Sequence, residues 1–300
     1  LLHRLLAEDK QFIDIRLYQS LFPSVLFYHF VSGVSFIDRK VGRPLYKLMV
    51  RPLGRWMFQE WEGLHQTGLE HSEEDEAYWI YPLLTPTLLI FFPFINKLRD
   101  SIFIDEQSPQ QRKAMGKYLA RQIQRLLYVH GRNKTLLAKN AAAAGRIRTY
   151  LEVMPDMRII HILRHPYDSI ASALSMFSLR PWQLLVPQVA GESEEMRYAA
   201  ELWCQQYLWL MSLRDELPPA QYLEVSYDAL ISQPRQTVQE IYGHFGLALD
   251  AEFDAYLSAQ DESIRNYRSA HRYKLQEFGI DEDWIYQRLQ PAFERYGFPR

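Results

Sequence analysis

Arg164 and Ser172 stand eight residues apart in the run RIIHILRHPYDSIASAL (158–174), and the two together suit a phosphate. A guanidinium presents a planar fork of N–H donors to anionic oxygens, and a hydroxyl near a helix start adds one more donor. Lys139 closes the short apolar run Lys134 to Lys139 and supplies a second cation. A third group is acidic: His71-Ser72-Glu73-Glu74-Asp75-Glu76 places four carboxylates directly before an uncharged stretch. Carboxylates crowded beside an apolar wall lose hydration and repel one another, which moves a pKa toward neutrality and makes a proton acceptor. Glu74 is the first choice for that base, with Asp75 and Glu76 behind it. The helix dipole alone also favours acidic residues at a helix start.

Such groups need strands to carry them. Lys134 to Lys139 reads as one strand. Arg158 to Leu163, nearly all β-branched or aliphatic, reads as a parallel strand covered on both faces. Between them, Gly145 to Val153 has helical spacing, ended by Pro155-Asp156. Pro166 suits the first turn of the next helix, where its missing N–H has no partner to lose. Ligands of open α/β sheets sit beyond the carboxyl ends of strands. Lys139 and Arg164 both occupy such ends, which indicates an anionic, nucleotide-like ligand. Ser108-Pro109-Gln110-Gln111 forms a capping box before a helix running to about His130. A helix is expected over Glu194 to Asp215 and a strand over Gln221 to Val225. After Tyr227-Asp228-Ala229-Leu230, a further helix begins at Pro234 and stops at Gly246.

Composition fits one large α/β domain over residues 1–300, since 48% hydrophobic content in 300 residues can bury a sizeable core. A net charge of −2 gives no basic field for nucleic acid, so any anion site is local. Cys204 is the one cysteine, which excludes an internal disulfide and a cysteine-based metal cluster; its apolar neighbours predict a buried helical thiol. The nine histidines form no metal-binding motif. Tyr78 to Ile95 carries no charge, yet Pro82, Pro86 and Pro93 favour a buried or groove-lining segment over a lone membrane span. The other reading of that stretch is contact with a lipid-like acceptor or a bilayer surface. Leu21 to Phe36, rich in Phe and Tyr, reads as core or acceptor-pocket wall in preference to a membrane anchor. A cytoplasmic location is expected.

The segment Arg158 to Leu174 resembles the 3′-phosphate-binding segment of sulfotransferases that use 3′-phosphoadenosine-5′-phosphosulfate (PAPS), in their bacterial-type branch. The resemblance implies a P-loop-like three-layer sandwich, a central parallel sheet flanked by helices. It puts Arg164 and Ser172 on the 3′-phosphate and Tyr227 near the adenine, with Asp228 in place of the usual Glu. Lys139 falls where a cation meets the bridging oxygen of the leaving bisphosphate. The implied reaction moves SO3 to a hydroxyl or amine of a small-molecule, lipid or carbohydrate acceptor, needs no metal, and leaves adenosine 3′,5′-bisphosphate (PAP). The aromatics between Phe22 and Phe94 lean toward an apolar or amphipathic acceptor. In the cytosolic branch a Lys-Thr-His triplet ends the first of these strands and its His is the base. Here the triplet is Lys139-Asn140-Ala141, so Glu74, or else His3, must take that part. Asn266 to Gly279 is similar to a C-terminal segment of the bacterial-type branch and offers Arg272 or Lys274 to the cofactor. The chain opens as an uncapped helix, LLHRLLAEDKQF, so the resemblance sets the first strand and phosphate loop upstream of residue 1 and implies an incomplete domain. Two other classes fit the same pattern, a nucleotide or small-molecule kinase and a non-catalytic scaffold. An upstream Gly-Lys-Ser/Thr would mark the kinase.

Overall fold

The computed structural model describes residues 1–58, 71–72, 74–85, 99–175, 193–266 and 273–300. The chain divides into two compact units, Leu1–Leu88 with Gln107–Ala141, and Leu89–Glu106 with Ala142–Arg300.

In the first unit, strand β1 (Phe12–Asp14) pairs in parallel with β2 (Thr135–Leu137). The helix Pro109–His130 has the start its sequence dictates: Ser108 Oγ accepts from the Gln111 amide at 3.4 Å, and the Ser108 amide donates back to Gln111 Oε1 at 3.2 Å. Such a cap contributes about 1 kcal/mol. Leu119, Ile123 and Leu126 carry the buried face of this helix. The start of the uncharged stretch folds as a 3-10 helix, Asp75–Ile80, in which Tyr78 and Trp79 are fully buried. Tyr118 donates to the Tyr78 carbonyl at 2.8 Å and fastens that turn. Residues 86–95 of the stretch lie outside the described residues.

Of the two expectations for Leu21 to Phe36, core and pocket wall, the segment meets the second, since Phe27, Val31 and Val34 line a cleft. It contributes most of the helix Val25–Lys40, of which only Tyr28 and Asp38 are buried. Tyr28 reaches the interior and donates to the Gln19 carbonyl at 2.7 Å, whereas Leu26, Phe30 and Phe36 stand exposed. This helix is apolar on more faces than its neighbours can cover. Among the described residues no helix is long and apolar enough to cross a membrane.

In the second unit, β3 (Ile159–Leu163) pairs in parallel with β4 (Tyr222–Ser226), in register from Ile159↔Tyr222 to Leu163↔Ser226. The strands are parallel as expected, and they stand as two two-stranded sheets. β3 is not covered on both faces, because Ile162 is 38% exposed. The inward position belongs instead to His161, whose Nδ1 lies 2.9 Å from the Tyr222 hydroxyl. The helix Glu194–Glu216 is capped by Ser193, which accepts from the Met196 amide at 3.1 Å, and it buries Leu202, Cys204 and Leu213. Burial pushes the Cys204 thiol up to about 12, so it remains protonated. The helix Pro234–Phe245 stops at Gly246, whose φ of 63° lies in the left-handed region that glycine adopts without strain.

Candidate active site

The second unit positions Arg164 through the register of its sheet. Leu163 lies opposite Ser226, so Arg164 and Tyr227 are the next residues beyond the carboxyl ends of adjacent parallel strands. Ser226 also turns the chain into the helix Tyr227–Ser232, its hydroxyl accepting from the Ala229 amide at 3.4 Å. The Arg164 guanidinium carbon sits 5.0 Å from the centre of the Tyr227 ring. Its own carbonyl accepts from the Tyr207 hydroxyl at 3.1 Å, which fixes the backbone at this corner. Asp168, one turn along the helix Pro166–Ser175, is 3.9 Å from the guanidinium. Both side chains are well exposed, at 36% and 62%, and a long, screened pair of this kind contributes only ~0–1 kcal/mol. It does not saturate the guanidinium. The Arg164 Nε is buried and has no hydrogen-bond partner among the described residues. A buried N–H without an acceptor is costly, and a phosphate oxygen would satisfy it. Ser172 lies on the same helix, half-buried.

The first unit gathers the acidic residues around the end of β2. Lys139 Nζ pairs with Glu74 Oε1 at 3.2 Å. The Asn140 amide donates to Asp75 Oδ1 at 2.8 Å and to Glu76 Oε2 at 2.7 Å. Asp75 and Glu76 are buried, at 4% and 7% exposure, so these bonds offset the cost of removing two carboxylates from water. The Glu74 carboxyl is held above the usual carboxylate range. Burial is the main cause, and the Glu76 and Asp75 charges add to it, while Lys139 opposes it by charge and by hydrogen bond. His3 Nδ1 lies 3.3 Å from Ser72 Oγ. Its imidazole is pushed down to about 4, first by burial and then by the Lys139 charge, with Asp14 and the Leu137 carbonyl pulling the other way. A base of that strength takes a proton poorly at neutral pH, so Glu74 is the stronger acceptor of the two.

Glu74, Lys139 and His3 therefore share one neighbourhood, and Arg164 shares another with Tyr227. Arg272 lies outside the described residues, while Lys274 precedes the 3-10 turn Leu275–Phe278. The clasp of Asn140 on Asp75 and Glu76 was not read from the sequence, although a Lys-Asn pair at a strand end beside an acidic run is its visible trace.

The fold has solved counterparts. The crystal structure of the sulfotransferase STF9 from Mycobacterium avium superposes with a TM-score of 0.73 at 18% identity, covering 99% of this chain and 73% of that one. The sulfotransferase STF1 from Mycobacterium tuberculosis H37Rv gives 0.68 at 19% identity, covering 97% of this chain and 72% of that one. The architecture is thus the P-loop-like α/β fold of those proteins. Residues 54–251 match the model described as the sulfotransferase family, and the chain belongs to that family. Among curated relatives, the omega-hydroxy-beta-dihydromenaquinone-9 sulfotransferase Stf3 of Mycobacterium bovis and that of Mycobacterium tuberculosis are each 27% identical over 247 residues, 77% of this chain. The chain spans 59% of the length of either.

Proposed function

We propose that this chain carries the machinery for moving a sulfuryl group from PAPS to the hydroxyl or amine of an apolar, lipid-like acceptor. The observation that carries the reading is Arg164, a strand-end guanidinium stacked near Tyr227 with a buried Nε that no described residue engages. PAPS would supply the activated sulfuryl group and, through its 3′-phosphate, the handle by which the protein holds it. Arg164 and Ser172 bind that phosphate, and Tyr227 lies against the nucleoside. Arg272, in a basic segment of the sequence, adds charge to the same ligand.

Glu74 takes the proton of the acceptor as its oxygen or nitrogen bonds to sulfur. Its raised pKa makes it a better base than an exposed carboxylate, and Lys139 beside it favours the ionised form. Lys139 offsets the negative charge that grows on the bridging oxygen as the sulfur–oxygen bond to the leaving bisphosphate breaks. Asp75, Glu76 and Asn140 keep this corner in place, and His3 stays neutral within it. The lipid-like acceptor has two supports. The names of the curated relatives specify a hydroxylated menaquinone. The first unit also holds a cleft of ≈ 240 Å³ lined largely by apolar and aromatic side chains, among them Tyr18, Phe27, Val31, Val34 and Tyr46.

The test is PAP release from PAPS in the presence of a hydroxylated isoprenoid quinone, measured for the wild type and Glu74→Gln. Acceptor-dependent release that drops in the variant is expected. Release without acceptor dependence, or a variant as fast as the wild type, would overturn these assignments.

A further inference from the structure

Two helical stripes of the first unit form the most apolar surface that the described residues expose, and most of their side chains lie outside the cleft assigned to the acceptor. On the helix Val25–Lys40, Leu26, Phe30, Gly33, Ile37 and Val41 recur at i, i+4, i+7, i+11 and i+15, so they form one face. Every one of them is exposed, with Leu26 at 82% and Ile37 at 64%. The adjoining side of this helix lines the apolar cleft through Phe27, Val31 and Val34, and Phe30 and Leu45 stand at the edge of that cleft. The chain then turns and re-enters helix over Tyr46–Val50 and Arg51–Phe58. Here Leu45, Leu48, Met49, Leu53 and Trp56 follow the same helical spacing, and all are exposed, Leu48 at 76% and Trp56 at 71%. In a protein surrounded only by water, the apolar face of an amphipathic helix turns inward. This one turns outward.

Charge names the occupant. Residues 17–58 contain a single acid, Asp38. That acid is buried and used internally, since its carboxylate accepts from the Leu45 amide at 2.8 Å and the Tyr46 amide at 3.1 Å and so closes the turn between the helices. Arg39, Lys40, Lys47 and Arg51, in contrast, are all exposed beside the apolar stripes. Lys40 lies 4.5 Å over the Phe36 ring, its stem along the apolar surface and its charge outward. A protein partner of ordinary composition would not require so one-sided a charge. An anionic bilayer does, because its headgroups attract cations while its acyl boundary receives the apolar face.

We propose that the helical pair 25–58 docks flat on the surface of an anionic membrane, with Leu26, Phe30, Leu48 and Trp56 sunk at the acyl boundary and Lys47 and Arg51 on lipid phosphates. This attachment is separate from the sulfuryl transfer proposed above and does not depend on its being correct.

The experiment is sedimentation of the 300-residue chain with vesicles of phosphatidylcholine, alone or with one third phosphatidylglycerol. Strong binding to the anionic vesicles and weak binding to the neutral ones are expected. Lys47→Glu/Arg51→Glu should weaken binding at least tenfold, since each surface cation near an anionic bilayer is worth roughly fivefold. Leu48→Asp/Trp56→Asp should abolish it. Because these side chains are exposed, circular dichroism should be unchanged in both variants. A readout on the wild type keeps the test independent of the variants: brominated acyl chains should quench tryptophan fluorescence, and Trp56→Phe should remove part of that quenching. Absence of binding to either vesicle, binding indifferent to both variants, or a dimer in ultracentrifugation that Leu48→Asp/Trp56→Asp dissolves would overturn the proposal, the last by showing that a second copy covers the face.

Discussion

Glu74 and Lys139 form an ion pair, and the proposed reaction would give its two members opposite tasks, one receiving a proton and the other facing a leaving anion. The carboxyl is held above the usual range chiefly by burial. A base must be ionised to work, so the rate should fall as pH drops through that raised value, at a higher pH than an exposed carboxylate would impose. In Glu74→Gln this acidic limb should vanish and kcat should fall by about 10²–10⁴; a pH–rate profile of both proteins checks it. Stability moves the opposite way. The folded state holds the Glu74 proton more tightly than the unfolded chain does, so this group's contribution declines as pH rises from the ordinary carboxylate value through the raised one. Glu74→Gln is therefore expected to melt no lower than wild type above that window, as an active site that trades stability for reactivity should. His161 shows the reverse dependence. Burial holds it at about 4 against an ordinary 6.5, so it is neutral in the fold and takes a proton on unfolding. Its contribution is complete above about 6.5 and is lost as pH falls toward 4, on the order of 2 kcal/mol by pH 5. Urea titrations at pH 7 and pH 5 should show that loss, and His161→Gln should shrink it.

At the scale of elements, tight packing and clear sequence signals go together. Gly145 faces Phe103, where an added Cβ would meet the ring at 2.6 Å and the Ile102 carbonyl oxygen at 2.7 Å. Backbone stands on one side of that contact and cannot swing away, so Gly145→Ala should cost about 1–3 kcal/mol in a denaturant titration. The helix Pro109–His130 was legible because its start is written in four adjacent residues and its end in a glycine that follows, all local chemistry. β3 and β4 were legible as strands for the same reason, whereas their pairing with each other was not, because no local pattern names a strand's partner. The clasp of Asn140 on Asp75 and Glu76 was not, because it joins residues more than 60 positions apart and no local pattern encodes that distance. The helix Val25–Lys40 was legible as pocket wall but not as an exposed face. Hydrophobic content predicts burial only when something is present to bury against, and here one face meets a cleft while the other meets solvent.

At the scale of the whole molecule, the residues proposed for the reaction are divided: Arg164 and Tyr227 belong to the second unit and Glu74 and Lys139 to the first. The residues whose local spacing announces a phosphate site lie in the second unit, and the match to the sulfotransferase family runs through both. The cleft proposed for the acceptor and the helices proposed to face a membrane both belong to the first unit, where the sequence carries an excess of aromatic and basic residues over acids between positions 17 and 58. A lipid-like acceptor and a docking face on one unit are mutually consistent, because a protein that takes its substrate from a bilayer gains by residing on its surface.

Arg164 is proposed to hold a 3′-phosphate, and the decisive experiment is calorimetric titration of the chain with PAP, beside 5′-AMP and the variants Arg164→Ala and Ser172→Ala. Charge-assisted hydrogen bonds to a phosphate are worth about 1.5–3 kcal/mol each. PAP should therefore bind at least tenfold tighter than AMP, Arg164→Ala should erase that preference, and Ser172→Ala should reduce it. PAP and AMP binding with equal affinity, or a PAP preference that survives Arg164→Ala, would show that Arg164 does not hold a 3′-phosphate.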